Sequence, residues 1–221
     1  MPGITVTIDG PAGAGKSTVA RRLARRLGYV YVDTGAMYRA LTLAVMRADA
    51  DPAAADAVAA VLGRSEIALF DGGVRLDGED VSAAIRTPAV DRLVSRVSAH
   101  PQVREAMLAH QRALARSGGV VIEGRDAGTA IAPTAECKFY LTASLAERAR
   151  RRARELASSG IEANEAMLCE DMARRDREDT ERAVAPLAVA PDAVVVDTTG
   201  LGIDEIVERL AQRCTAFVAH P

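Results

Sequence analysis

Apolar residues along the first part of the chain alternate between short runs and stretches with the spacing of an amphipathic helix. A β-branched run over residues 3–9 leads into a glycine-rich turn, and residues 16–27 then repeat apolar positions every three to four residues. A second short apolar run over residues 29–32 is followed by helical spacing over residues 37–46. This pattern predicts two successive units of one strand and one helix.

The pattern changes between residues 49 and 98. An alanine-rich helical stretch over residues 52–62 precedes two short alternating runs at 67–70 and 74–76, which are separated by the turn Asp71-Gly72-Gly73 and followed by Asp77-Gly78-Glu79-Asp80. Alternation with glycine turns is typical of antiparallel strands, so a small meander is predicted as an insert. The alanine-rich helix is either a dimer surface or the cover of this insert, and the cover is favoured.

Helices and buried strands alternate again in the rest of the chain. Helical spacing covers residues 89–98 and 102–116, and buried strands are predicted at 120–123, 138–141 and 193–196. With the first two strands, this predicts an α/β fold with a five-stranded parallel sheet covered by helices on both faces.

The most polar and arginine-rich segment covers residues 145–182. It contains a predicted turn at Ser158-Ser159-Gly160 between two helices. Such a segment is either a solvated helical hairpin or a mobile lid over a site.

Composition limits the partners and the compartment. The net charge of −2 gives no basic excess for general nucleic-acid binding, but only Lys16 and Lys138 among the 28 basic residues are lysines, so arginines would meet any phosphate. No leader and no membrane-spanning run is predicted. The three cysteines lack metal or redox spacing, so each is expected to be a small buried residue in a protein of the reducing cytoplasm.

One motif carries the strongest chemical signal. The pattern G-x-x-x-x-G-K-[ST] lies between a predicted strand and a predicted helix, which is the context of a phosphate-binding loop. Backbone N–H groups of this loop would cradle the β-phosphate of a nucleotide, Lys16 would reach its β and γ oxygens, and the Ser17 hydroxyl would coordinate Mg²⁺. The alternative is a glycine-rich turn that binds nothing. The predicted nucleotide-binding residues are Gly10, Pro11, Ala12, Gly13, Ala14, Gly15, Lys16, Ser17 and Thr18.

A phosphate loop alone does not separate kinases from nucleotide-dependent switches. The string Asp197-Thr198-Thr199-Gly200 matches D-x-x-G, but it follows the last predicted strand, and an N-K-x-D guanine-reading motif is absent from the sequence. We therefore interpret it as a turn at the end of a strand.

Polar residues follow two other predicted strands, where an open parallel sheet borders its ligand crevice. Asp33 either assists Mg²⁺ through water or caps the next helix, and Arg39 either binds a phosphate or lies on the surface. Arg125 and Asp126 lie between two glycines after residues 120–123; they either face the crevice or form a structural ion pair.

A third group lies in the arginine-rich segment. On a helix Arg175, Asp179 and Arg182 share one face, so that two guanidiniums would flank a carboxylate, although surface ion pairing explains this spacing equally well. The number of separate arginine sites favours an enzyme that moves a phosphoryl group between two phosphate-bearing substrates.

Taken in order, several strings resemble those of the bacterial-type cytidylate kinases, a family of P-loop nucleoside monophosphate kinases. They span nearly the whole chain and read I-D-G-P-A-G-A-G-K-S-T, D-T-G-A-M-Y-R, D-G-E-D-V-S-A-A-I-R-T, V-R-E-A-M-L, E-G-R-D-A-G-T and R-A-V-A-P-L. The insert string that spans residues 77–87 is the most specific of them, because adenylate kinases lack this β insertion.

The resemblance implies transfer of a phosphoryl group from ATP, with Mg²⁺, to CMP or dCMP. It implies that Thr34, Arg39, Arg125 and Arg182 hold the acceptor phosphate, that Ser95, Arg104 and Asp126 read the cytosine, and that Arg175 and Asp179 hold the ribose. Lys16, Arg125, Arg182 and Asp33 are expected to act in catalysis. A carboxylate accepts a hydrogen bond from the cytosine amino group, and this contact would disfavour uracil. The chain differs at Glu178, where relatives can carry a basic residue, and has Thr34 where serine also occurs.

The implied organisation has three parts: a core over residues 1–48, 99–157 and 183–221, a nucleoside-monophosphate-binding insert over 49–98, and a helical lid over 158–182. A cytoplasmic monomer that binds neither nucleic acid nor membrane is expected. The alternatives are a kinase for another small acceptor, such as UMP or a shikimate-like metabolite, and a nucleotide-dependent switch.

Overall fold

The computed structural model describes residues 3–70, 72–158 and 160–219. Its centre is a sheet of five parallel strands, which are β1 (Thr5–Asp9), β2 (Val30–Asp33), β6 (Val120–Glu123), β7 (Cys137–Thr142) and β8 (Val194–Asp197). Their order in the sheet is β2-β6-β1-β7-β8. The predicted five-stranded parallel sheet is therefore confirmed.

Successive residues of β6 show how the sheet is covered. Val120 and Ile122 pack with α5 (Pro101–Ala115) on one face, whereas Val121 packs with α1 (Lys16–Leu27) and α8 (Ile203–Ala219) on the other. Strands buried on both faces read as continuous apolar runs, which is why the pattern identified them.

The last strand corrects one prediction. Residues 193–196 were expected to be buried, but Val194 and Val195 of β8 are 39% and 55% exposed. β8 lies at the edge of the sheet and pairs on one side with β7, so less of its surface is covered. The cysteine prediction is also wrong at one position, because Cys137 and Cys214 are buried but Cys169 is partly exposed.

The insert begins after α2 (Thr34–Arg47). It contains α3 (Ala55–Leu62), the antiparallel strands β3 (Ile67–Phe70), β4 (Gly73–Leu76) and β5 (Glu79–Asp80), a short 3₁₀ helix (Ala84–Arg86) and α4 (Pro88–Ala99). Asp77 and Gly78 both have positive φ, 52° and 85°, as a two-residue hairpin turn requires. The predicted meander is confirmed, and Val58 and Val61 of α3 are buried in its core. Asp71, in the other predicted turn, lies outside the described residues.

The arginine-rich segment forms α6 (Leu145–Ser158) and α7 (Glu165–Glu181), which pack against each other. The predicted turn at 158–160 falls between them, although Ser159 lies outside the described residues. α7 also contacts α4 of the insert. Of the helices that the structure describes, none has the length and apolar content needed to cross a membrane.

Candidate active site

The polar residues singled out in the sequence line one cleft of about 910 Å³ at the carboxyl ends of the strands. Strand register places Ile8 and Asp33 opposite Glu123, so the loops after β1, β2 and β6 open at the same edge. The insert and helices α6 and α7 provide the remaining walls.

The phosphate loop, residues 10–18, follows β1 and leads into α1, and three of its glycines have a positive φ. Gly10 has a φ of 142°, and a Cβ there would lie 2.0 Å from the carbonyl oxygen of Leu141. Gly15 is the residue before α1 and is left-handed, with a φ of 87°. Since glycine offers no capping side chain, the first N–H groups of α1 remain for an anion.

Lys16 lies at the start of α1 and is buried. Its Nζ donates a hydrogen bond to the carbonyl oxygen of Pro11 at 2.7 Å, which places the amine across the loop. Burial lowers the pKa of Lys16, and the neighbouring Arg125 guanidinium lowers it further. A phosphate in the loop would add to the partial compensation that the carboxylates of Glu123 and Asp9 give this cation.

Two side chains support the loop from outside. Arg148 donates hydrogen bonds to the carbonyl oxygens of Ala12 and Ala143. The Thr198 hydroxyl donates to the carbonyl oxygen of Ala14 at 3.3 Å. These bonds occupy backbone acceptors, so the N–H groups can face the cleft. Thr198 belongs to the D-x-x-G string, where the Asp197 carboxylate accepts from the Thr199 N–H, so its interpretation as a turn at the end of a strand is confirmed.

Ser17, the predicted Mg²⁺ ligand, contacts a carboxylate that the sequence did not single out. Its hydroxyl donates to Oε1 of Glu123 at 2.7 Å, while Oε2 of this buried residue has no hydrogen-bond partner among the described residues. Burial raises the pKa of Glu123, with Asp33 adding to the effect. The available signal was its position at the end of a predicted strand beside the phosphate loop.

The donor set fits Mg²⁺ bound mainly through substrate and water. Within the described ranges, no group of three or more His, Cys, Asp or Glu side chains could hold a metal. A serine hydroxyl with a free carboxylate oxygen nearby matches the way Mg²⁺ is usually shared between one or two protein groups, water and nucleotide phosphates.

Asp33 caps the helix that follows it, which is one of the two roles predicted for it. Its Oδ1 accepts from the Ala36 N–H at 2.9 Å, and its Oδ2 accepts from Arg86 of the insert at 2.6 Å. This cap explains why α2 begins at Thr34, three residues earlier than predicted, despite the low helix propensity of Gly35. The Thr34 hydroxyl donates to the carbonyl oxygen of Glu123 at 2.7 Å.

The opposite end of the cleft contains the arginine pocket, in which five arginines meet three aspartates. Its members are Arg39, Arg104, Arg125, Arg175, Arg182, Asp91, Asp126 and Asp179. Every arginine that was predicted to bind the acceptor nucleotide therefore lies in this one pocket.

Its most buried part contains Asp126. Arg104 donates to Oδ2 of Asp126 at 2.6 Å and Arg182 donates to Oδ1 at 3.1 Å, with all three side chains no more than 5% exposed. The Ser95 hydroxyl and Nε of Arg104 are buried without a hydrogen-bond partner in the described part of the chain, as is the Tyr38 hydroxyl, whose ring lies under the Arg104 guanidinium. Unpaired buried polar atoms point to a polar ligand here.

Arg125 and Asp126 do not pair with each other, so the structural ion pair that was the alternative is absent. Arg125 instead binds Oδ2 of Asp179 through Nε at 2.8 Å. The turn that carries both residues is fixed by Asp9, whose carboxylate accepts from the N–H groups of Ala127 and Gly128. This anchoring explains how two adjacent side chains reach different partners.

Arg175, Asp179 and Arg182, which were predicted to share one face of a helix, do not all lie on α7. α7 ends at Glu181, so Arg182 lies beyond the helix and reaches Asp179 at 3.6 Å from an extended backbone. The second guanidinium on Asp179 is that of Arg125, whereas Arg175 lies 3.6 Å from Asp91. Glu178 is exposed and contacts Arg174.

Sequence reasoning missed several residues of the cleft. Glu123 and Tyr38 belong to quoted strings but had no assigned role, and Asp91, Arg148 and Arg152 carried no local signal. Their partners come from distant segments, as in the bond from Arg148 of α6 to Asp176 of α7 at 2.7 Å.

Comparison with known proteins gives a consistent family. The family model described as cytidylate kinase matches residues 6–216. The chain is 50% identical over 216 residues to the cytidylate kinase of Symbiobacterium thermophilum, covering 96% of each chain, and 51% identical over 213 residues to that of Geobacillus kaustophilus, covering 95% of each.

Among solved structures, an uncharacterized protein from Eubacterium ventriosum matches with a TM-score of 0.52 and 12% identity, over 96% of this chain and 99% of that one. At this identity the likeness concerns the fold alone. The family match over nearly the whole length is what carries the assignment: the chain belongs to the cytidylate kinase family.

Proposed function

We propose that the protein transfers the γ-phosphoryl group of ATP to CMP and dCMP, forming CDP and dCDP. The observation that carries the proposal is the arrangement of the cleft, in which a phosphate loop with Lys16 faces a pocket of five arginines that surrounds Asp126. Membership of the cytidylate kinase family supports the same reaction.

The phosphate loop would hold ATP. The N–H groups at the start of α1 would bind the β-phosphate, and Lys16 would exchange its bond to the Pro11 carbonyl for the β and γ oxygens. Ser17 would hold Mg²⁺, with Glu123 orienting the Ser17 hydroxyl or a bound water. When bound, Mg²⁺ neutralises charge on the β- and γ-phosphates.

The arginine pocket would hold the acceptor phosphate, whose own oxygen is the nucleophile. Thr34, Arg39, Arg125 and Arg182 are the proposed binding groups, and Arg125 and Arg182 would also stabilise the charge that develops during in-line transfer. Because the nucleophile is already anionic, the chain needs no side-chain base. Asp33, which caps α2 and binds Arg86, would act by fixing the start of the helix that carries Thr34 and Arg39.

The innermost part of the pocket would select the base. Asp126 would accept a hydrogen bond from the cytosine amino group, while the Ser95 hydroxyl and Nε of Arg104 supply polar atoms that have no partner among the described side chains. A site that is built to pair with a donor rejects an analogue without it, so uracil would bind less well. Arg175 and Asp179 would hold the ribose hydroxyls.

The division into a core (1–48, 99–157 and 183–221), an insert for the monophosphate (49–98) and a lid (158–182) remains part of the proposal. Arg175 lies on α7 and Arg182 directly after it, so closure of this segment would bring both toward the substrates and exclude water. A cytoplasmic monomer is the state in which we expect the enzyme to act.

One assay tests the proposal. ADP formation from Mg-ATP is measured with CMP, dCMP, UMP, AMP, shikimate or no acceptor, with Lys16→Ala as the inactive control. We expect turnover with CMP and dCMP to exceed turnover with the other acceptors by more than about tenfold. Preference for AMP or shikimate would indicate another kinase, and equal ADP formation without acceptor would indicate a hydrolysing switch; either result contradicts the proposal.

A further inference from the structure

Asp91 of α4 joins three guanidiniums that come from three other helices. Its Oδ1 accepts from Arg39 of α2 at 2.5 Å and lies 3.6 Å from Arg175 of α7, and its Oδ2 accepts from Arg152 of α6. Each of these four side chains is no more than 21% exposed. One carboxylate of the insert is therefore the common partner of arginines on both sides of the cleft.

The charges of this group favour a phosphate monoester. Three guanidiniums meet Asp91, and Arg152 also pairs with Glu155 at 2.7 Å, so one positive charge remains in excess to attract an anion that carries close to two negative charges near pH 7. Each guanidinium has five N–H donors, of which Asp91 uses few. Nε of Arg175 is buried without a hydrogen-bond partner among the described residues, so it is available to a ligand.

Without the carboxylate, the same arginines would repel one another. Burial first, and then the proximity of Arg125 and Arg39, lower the pKa of Arg175 to about 10, while the carboxylates of Asp179 and Asp91 oppose this shift. Burial opposes the ionisation of Asp91, but Arg39, Arg152 and Arg175 together hold its pKa below the ordinary value. Asp91 therefore stays charged and keeps the guanidiniums together.

We infer that Asp91 is a positioning residue for the acceptor: it gathers Arg39, Arg152 and Arg175 and holds α6 and α7 against the insert where the phosphate and ribose of CMP bind. This inference rests on the proposed function, since it takes Arg39 and Arg175 as groups that bind CMP. Asp91 acts through these arginines and not on the substrate.

Two other roles for Asp91 give different outcomes. An acidic residue in the first turn of a helix favours the helix dipole, which would affect stability but not the binding of CMP. A carboxylate that competes with the acceptor phosphate for the same arginines would weaken binding, so its removal would lower the KM for CMP. Only a positioning role predicts a higher KM.

The experiment compares steady-state kinetics of the wild type with Asp91→Asn, Asp91→Glu and Asp56→Asn. Asp56 is a matched control because it is an exposed acidic residue in the first turn of α3, in the same insert but away from the cleft. We expect Asp91→Asn to raise the KM for CMP about tenfold or more, with kcat changed less than about threefold and the KM for ATP unchanged. Asp91→Glu keeps the charge and should fall between, and Asp56→Asn should match the wild type.

A KM for CMP in Asp91→Asn equal to that in Asp56→Asn overturns the inference in favour of a dipole role, and a lower KM overturns it in favour of competition. Thermal melting checks that each variant folds. If Asp91→Asn does not fold, Asp91→Glu decides, with a KM two- to fivefold above the wild type expected (about 0.4–1 kcal/mol) and an unchanged or lower KM contradicting the inference. A wild type without CMP-dependent turnover overturns the proposed function itself, whereas an active wild type with an unaffected Asp91→Asn overturns only this step.

Discussion

At one end of the cleft, the phosphate loop offers backbone N–H groups from a single contiguous segment, whereas at the other end the arginine pocket is made of side chains from α2, α4, α5, α7, the residue after α7 and the turn after β6. The loop keeps its shape through glycine conformations and through the bonds that Arg148 and Thr198 donate to its carbonyl oxygens. The pocket keeps its shape through ion pairs such as Arg104 with Asp126. Backbone conformation therefore maintains the shape of the loop, whereas ion pairs between buried side chains maintain the shape of the pocket.

This difference changes what a mutation does. A side chain of the loop can be removed without disturbing the fold, because backbone conformation carries the structure. Removing a charged side chain of the pocket leaves its partners buried without their counter-charge, so stability and activity should both fall. The loop should therefore separate activity from stability, and the pocket should couple them.

The largest expected effect is on turnover, at the loop. Lys16→Met keeps the length of the side chain and removes its charge, so kcat for CMP phosphorylation should fall by about a thousandfold or more. The free energy of unfolding should be unchanged or higher. Burying the Lys16 charge costs free energy, as its lowered pKa shows, and the single bond to the Pro11 carbonyl does not outweigh this cost. Measurements of kcat and of urea unfolding on the same preparation check both parts. A large loss of stability would show that this part of the loop is also held together by charge.

The second effect is on stability, in the pocket. Asp126→Asn leaves Arg104 and Arg182 buried without their carboxylate, so the free energy of unfolding should fall by about 3 kcal/mol, with a higher KM for CMP. Glu205→Gln is the control, since both side chains of its pair with Arg209 are about half exposed and loss of the pair should cost less than about 1 kcal/mol. If Asp126→Asn were as stable as the control, the pocket would not depend on its charge balance.

The two ends also differ in what the sequence could predict. The loop is contiguous, and Gly10 to Ser17 could be assigned a role because each function depends on its position within one segment. The five parallel strands were predictable for a related reason, since burial on both faces produces continuous apolar runs. The exposure of β8 was not predictable, because an apolar run such as Val194-Val195-Val196 does not reveal that the strand lies at the edge of the sheet.

For the pocket, the sequence predicted every member except Asp91, but it did not predict which charges pair. Arg175 and Asp179 were placed on one face of a helix, yet Arg175 lies against Asp91 and Asp179 binds Arg125 from another segment. Which charges meet depends on how α4, α6 and α7 pack, and helical spacing carries no information about that. Asp91 was missed for this reason, whereas Glu123 was missed although it lies at the end of a predicted strand beside the phosphate loop.

The smallest expected effect is the contribution of Asp179 to the free energy of unfolding at acidic pH. Burial opposes its ionisation, but Arg125, Arg175 and Arg182 outweigh this and hold its pKa below the ordinary value of 3.8. The unfolded state then binds the proton more tightly, so the stabilisation from Asp179 is present above pH 3.8 and is lost as the pH falls below it, at about 1.4 kcal/mol for each unit by which the pKa is lowered. The difference in unfolding free energy between the wild type and Asp179→Asn should therefore shrink from pH 5 to pH 3. Asp204→Asn, at an exposed pair with Arg22, should differ from the wild type by less than about 0.5 kcal/mol throughout. A wild-type advantage over Asp179→Asn that stayed constant down to pH 3 would mean that the pocket does not hold this carboxylate by charge, and the contrast between the two ends of the cleft would lose its electrostatic basis.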